Sequence, residues 1–175
     1  MHLRAEAIVQ RPRNEVFEAY RDHLVELVPD LPSIRAIELK SRKESDGKVE
    51  IVNVWHGGGD IPQALRAFLS ESMLSWTDYA TWNAADFTCE WRSESHSFKD
   101  AVDSRGKNEF VELGPSKSMI RIVGEIRVDA SKIPGVPRLL ASTAGGLVER
   151  FLVRQIEDNL REVAAGVERF LARRG

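Results

Sequence analysis

The sequence has one cysteine, Cys89, in 175 residues, so no internal disulfide can form and a reducing compartment is the simplest setting. It also has no basic excess. The 25 Lys and Arg against 27 Asp and Glu leave a net charge of −2. That balance argues against a general nucleic-acid binder, whose phosphate contacts show as surplus positive charge. Clusters such as Lys40, Arg42, Lys43 and Arg169, Arg173, Arg174 are interleaved with acids and read as solvated surface. No uncharged apolar run reaches the roughly 18 residues that suggest a membrane span. Met1 to Gln10 alternates, carries Arg4 and Glu6, and lacks the apolar core of a secretory signal, so a cytoplasmic protein is expected. Repeats, low-complexity stretches and linkers are missing too, and residues 1–175 therefore read as one domain. With 42% hydrophobic and 30% charged residues, the composition is that of a globular chain able to bury a sizeable core.

Recognisable catalytic patterns are equally scarce. His2, His23, His56 and His96 are scattered, and none forms a ligand pair of the HExxH kind. Neither a metal nor a cofactor is expected. Gly57-Gly58-Gly59-Asp60 lacks the lysine and the spacing of a phosphate loop. Cys89 alternates with Phe87 and Trp91, which suits a packed thiol better than a reactive one. His56, beside the glycine run, is the one imidazole placed to act as an acid or base.

What the sequence does have is periodicity. From Leu147 the apolar residues Val148, Phe151, Leu152, Ile156, Leu160, Val163, Ala164, Val167, Phe170 and Leu171 recur at three- and four-residue spacing. This predicts one amphipathic helix of about 26 residues, roughly 39 Å long. Gly145-Gly146 is expected to kink or break its first turns. Gln155 and Asn159 lie on the apolar stripe and would face inward, where each amide needs a partner.

The preceding chain alternates with period two. Leu3, Ala5, Ala7 and Val9 mark a first strand. Pro12 then starts a helix with Val16, Phe17, Tyr20 and Leu24 on its apolar face, stopped by Pro29 and Pro32 and open to a break near Asp22. Six more strands follow. Ile34–Lys43 and Lys48–Trp55 flank the hairpin turn Ser45-Asp46-Gly47. The second of these, apolar on both faces, is expected to lie centrally in the sheet. Leu74–Asn83, Phe87–Ser97, Ala101–Leu113 and Met119–Ala130 complete the set. Asp60-Ile61-Pro62-Gln63 reads as a helix start capped by Asp60. For Ile61–Leu74 two readings stay open: a lid over a cavity mouth, or a loop helix tucked on the core.

Strand, helix, six strands, long helix is an α+β order with the helices confined to one face of an antiparallel sheet. That order, the Arg11-Pro12-Arg13-Asn14-Glu15-Val16-Phe17 stretch after the first strand and the long amphipathic end helix resemble the START-like, or SRPBCC, superfamily of helix-grip proteins. The resemblance spans almost the whole chain. It implies a curved, seven-stranded antiparallel sheet wrapped around the C-terminal helix, with a cavity between them. Members bind lipids, sterols, polyketides or plant hormones there. Some are cyclases or aromatases, and some are oxygenase domains that hold iron.

Residue pattern and resemblance together nominate a site. Asn53, Asp78, Ser104, Asn108, Gln155 and Asn159 are polar on otherwise apolar faces, and Trp55, Trp76, Trp82, Trp91, Phe110 and Phe151 are large inward partners. A carboxylate such as Asp78, buried without a partner, must be paired, partly wet or arranged to meet a ligand. The expected function is binding of a small, mostly hydrophobic ligand, lipid, sterol-like or polyketide-like, by a carrier or sensor that touches membranes transiently at most. The alternatives are a polyketide cyclase or aromatase using His56 or Asp78, and a protein-interaction module with a vestigial cavity.

Overall fold

Alternation in the first strand sends Leu3, Ala7 and Val9 inward, and in the computed structural model, which describes Met1–Gly175, this strand is β1 (His2–Val9). Pro12 caps α1 (Arg13–Asp22), where its missing N–H breaks no intrahelical bond. The helix gives way at His23 to a 3-10 turn, Leu24–Asp30, so the break expected near Asp22 is present. β2 (Ile34–Ser45) and β3 (Lys48–Gly57) form the expected hairpin. Asp46 and Gly47 at its tip have φ of 51° and 75°, the two positive values that a type I′ turn demands. β4 (Ser75–Asn83), β5 (Thr88–Ser95), β6 (Val102–Gly114) and β7 (Lys117–Val128) complete one antiparallel sheet. Its order is β1-β7-β6-β5-β4-β3-β2, so α1 and the 3-10 turn carry the chain from one edge to the other.

Three local expectations change. β3 is not central; it sits one strand in from the β2 edge. Its Val52 and Val54 are only half-buried, since β-branched residues suit a pleated surface whether or not it is covered. Phe87 belongs to the β4–β5 turn rather than to a strand, with φ of 53°. Asp60 caps nothing: the segment between β3 and β4 holds only short 3-10 turns at Gln63–Leu65 and Glu71–Met73, neither with a side-chain cap. Ile61, Leu65 and Leu69 are nevertheless buried.

Gly106 and Gly124 face one another across β6 and β7, with Trp91 across from Gly106 on β5. A Cβ on Gly106 would sit 2.6 Å from Trp91 Cζ2 and 2.6 Å from the Val123 carbonyl oxygen. The missing side chains let the sheet close up here and let the Trp91 indole lie across it.

The last helix, α2 (Ala141–Arg174), has 34 residues and runs unbroken for roughly 51 Å. It begins six residues before Leu147 and passes straight through Gly145-Gly146. A Cβ on Gly145 would lie 3.2 Å from the Val128 carbonyl oxygen and 3.6 Å from Ala130 Cβ. Close packing on the end of β7 therefore offsets the roughly 1 kcal/mol helix cost of a glycine. Farther along, Glu162 accepts hydrogen bonds from Ser33, and Arg169 and Arg173 both pair with Asp30 at 2.9 Å. No helix is long and apolar enough to cross a membrane.

The core is in two parts. One joins α1 and the sheet to Leu160, Val163, Ala164, Val167 and Phe170 of α2. The other joins Ile61, Leu65, Leu69 and Ile133 to Ala144, Val148 and Phe151. Between Phe151 and Leu160 no residue of α2 is fully buried.

Candidate functional site

That interrupted stretch of α2 roofs a chamber of ≈ 220 Å³. One water needs only about 10–15 Å³ of such space, so this is far larger than a packing defect. Strand register organises its floor into rows. Trp55 pairs with Trp76, and the two indoles stack at 5.7 Å and 13°. The next row is polar across four strands: Asn53, Asp78, Ser93 and Ser104 are successive partners. Then come Ile51, Ala80, Trp91 and Gly106, and beyond them Trp82, Cys89 and Asn108. Because side chains alternate along each strand, a polar row on the chamber face must be flanked by rows of that same face. All four tryptophans of the chain line the chamber.

Eleven of the twelve nominated binding residues line this space: Asn53, Trp55, Trp76, Asp78, Trp82, Trp91, Ser104, Asn108, Phe151, Gln155 and Asn159. Phe110 does not. It lies one inward position beyond Asn108 and packs edge-on to Phe17 at 5.1 Å, behind the chamber end. His56 does not either. It follows Trp55 in β3 and so points to the outer face, where its Nε2 meets Glu38 at 3.0 Å. Of the two groups nominated for proton transfer, only Asp78 is inside.

Burial pushes the Asp78 carboxyl up to about 7, with the Ser93 hydroxyl favouring the charged form. Its surface is only partly covered, and it lines the chamber. No cation opposes it. Arg21 is the one cationic side chain in the lining, and its guanidinium already donates to both carboxylate oxygens of Asp22, at 2.8 and 2.7 Å. Burial also raises the Tyr20 hydroxyl, and raises the Cys89 thiol well above its usual range. Both stay protonated at neutral pH, so Cys89 offers no thiolate.

Hydrogen bonding is complete in one part of the lining and incomplete in another. Trp91 Nε1 donates to Asn108 Oδ1 at 2.9 Å, which fixes that amide. Trp55 Nε1 and Asn159 Oδ1 are buried with no partner, a donor and an acceptor that most folded proteins would satisfy. Gln155 reaches under the glycine run: its Oε1 is 3.7 Å from where a Cβ on Gly59 would be. The segment between β3 and β4 closes this end, with Leu69 buried and Met73 37% exposed, both in the lining. It is thus a loop tucked on the core that also edges the chamber. An Arg35–Glu71 pair at 2.7 Å straps it to β2.

Sequence reasoning missed Tyr20, Arg21 and Ser95 as lining residues, and read Ser93 as a small inward position without nominating it for the site. Ser95 alternates with Trp91 and Ser93, so period two alone would have found it. Tyr20 and Arg21 come from α1, and no sequence signal says where a helix end will meet a sheet. No group of three or more His, Cys, Asp or Glu is placed to hold a metal ion.

No family model matches the chain, and no curated protein matches it. Solved structures do. A protein of Thermus thermophilus superposes with a TM-score of 0.70 at 15% identity, over 95% of this chain and 97% of its own. The Zhui aromatase/cyclase from a Streptomyces species gives 0.69 at 15% identity, over 98% and 95%. The di-domain aromatase/cyclase StfQ of the steffimycin biosynthetic pathway gives 0.57 at 18% identity, over 98% of this chain and 47% of its own. At these identities the likeness is one of fold, and the fold is the helix-grip fold.

Proposed function

We infer that the protein binds a small, mostly apolar molecule between the sheet and α2, as a carrier or sensor. The observation that carries this reading is the gap in the core. Apolar packing stops on both sides of residues 152–159 and leaves ≈ 220 Å³ lined by indoles with a row of polar side chains. Mostly apolar walls with a few converging polar groups are the usual build of a small-molecule site. The ligand classes that fit are a lipid, a sterol-like molecule or a polyketide-like aromatic one.

A second reading, a cyclase or aromatase, draws on the fold shared with Zhui and StfQ and on Asp78 standing inside the chamber. In that reading the walls would fold the substrate and Asp78 would move the proton, without His56. The reading of a vestigial cavity is the least supported, given the size of the chamber.

Native mass spectrometry after gentle purification separates these. A co-purified small molecule, released on denaturation, supports carriage. Turnover of a poly-β-ketone that is lost in Asp78→Asn supports catalysis. An empty protein that binds no apolar probe opposes both.

A further inference from the structure

We propose that the ligand carries a protonated amine, held by the Asp78 carboxylate beside the indoles of Trp55, Trp76 and Trp91. This rests on the chamber being a ligand site and names the chemistry of what it takes.

Asp78 is the only carboxylate lining the chamber, and no Lys, Arg or His is near enough to answer it. The one cation in the lining, Arg21, is already held bidentately by Asp22. A buried carboxylate without a counter-ion is costly, and a partner must bring the charge in or the group must be neutral. Its surroundings favour an organic cation. Register puts Trp76 two residues before it on the same face, and places Trp55 and Trp91 on the two diagonals across β3 and β5. Indoles next to a carboxylate suit an ammonium group, which a ring face attracts through its quadrupole. The direct partners of Asp78 in the same row, Asn53 and Ser93, add acceptors for the remaining N–H bonds. An anionic headgroup would meet like charge here, so a fatty acid is a poor occupant.

The carboxylate sits high enough in pH to make this testable. Other titratable groups facing it are Tyr20 and Arg21 from α1 and Cys89 from β5; β3, β6 and α2 contribute only uncharged side chains. None of these changes charge between pH 5.5 and 8, since the Tyr20 hydroxyl and Cys89 thiol are raised and Arg21 is paired. Amine affinity should therefore rise with pH across that range as Asp78 ionises, while a neutral ligand should not gain.

Isothermal titration with matched probes decides it. One set is 2-(2-naphthyl)ethylamine, 2-(2-naphthyl)ethanol and 2-naphthylacetic acid; the other is decylamine, decanol and decanoic acid. At pH 8 the amine of at least one set should bind roughly ten- to a hundredfold more tightly than its alcohol. Asp78→Asn should erase that preference by weakening the amine, with the folding of the variant checked by its circular dichroism spectrum. Should the variant not fold, the rise in amine affinity from pH 5.5 to 8 in the native protein tests the same point. Alcohols that bind as well as amines, or better, overturn the amine proposal and leave the apolar-ligand reading standing. Failure of all six probes removes both.

Discussion

Asp78 is where sequence and structure agree most usefully. Its place between Trp76 and Ala80 marked it as inward, and register completes the row with Asn53, Ser93 and Ser104. Its raised proton affinity has a consequence for stability. An unfolded aspartate titrates near 3.9. Held at about 7 in the folded protein, Asp78 binds its proton more tightly folded than unfolded. Stability is then full below about pH 4 and is lost as pH rises toward 7. Asp78→Asn should remove this loss: in urea unfolding the variant should match the native protein near pH 3.5 and exceed it by on the order of 1–3 kcal/mol at pH 8. Equal stability at pH 8 would mean that the chamber solvates the carboxylate fully. Asn159 makes the companion case. Its Oδ1 has no partner, and Asn159→Leu should raise stability by roughly 1 kcal/mol while weakening, at least several-fold, binding of an apolar probe that carries a hydroxyl donor, such as 2-naphthol. Thermal unfolding and probe titration of the same variant check both halves. The residues that sequence reasoning misplaced, Phe110 and His56, show the limits of pattern. Period two gives the face but not how far along the strand the chamber ends, and His56 was chosen for its chemistry against its own alternation with Trp55.

At the scale of elements, the strands were legible because alternation and turn chemistry coincide. Asp46-Gly47 fixed the β2–β3 hairpin through its positive φ values. α2 was legible from Leu147 onward and misjudged in the six residues before it. Helix propensity argued for a break at Gly145-Gly146, and the close fit of Gly145 on Val128 overrode it. The same logic of contact governs Gly106. Gly106→Ala would drive a Cβ to 2.6 Å from both Trp91 and the Val123 carbonyl oxygen. The variant should lose about 1–3 kcal/mol by chemical denaturation, more than a strand glycine changed in open space. Trp91 should move with it, seen as a shift in tryptophan emission. The segment between β3 and β4 was the least legible, since Ile61, Leu65 and Leu69 recur at helical spacing and are buried, yet the chain there forms only short 3-10 turns.

For the whole molecule, the division of the core is the central fact. α2 is anchored at both ends, by packing near Gly145 and by Asp30, Arg169 and Arg173 near its C terminus, and is left loosely packed between them. A helix that spans a curved sheet in this way keeps an interior that side chains do not fill. The order of elements was enough to anticipate that architecture, while the volume and the row of polar side chains needed coordinates. The measurement that bears most directly on this is an amide NMR titration of the protein with 2-naphthol. Saturable shifts should gather on the inward residues of β3 to β6 and on residues 152–160 of α2, with the outer face of the sheet unmoved. Shifts confined to the outer face, or none up to the solubility of the probe, would contradict the account.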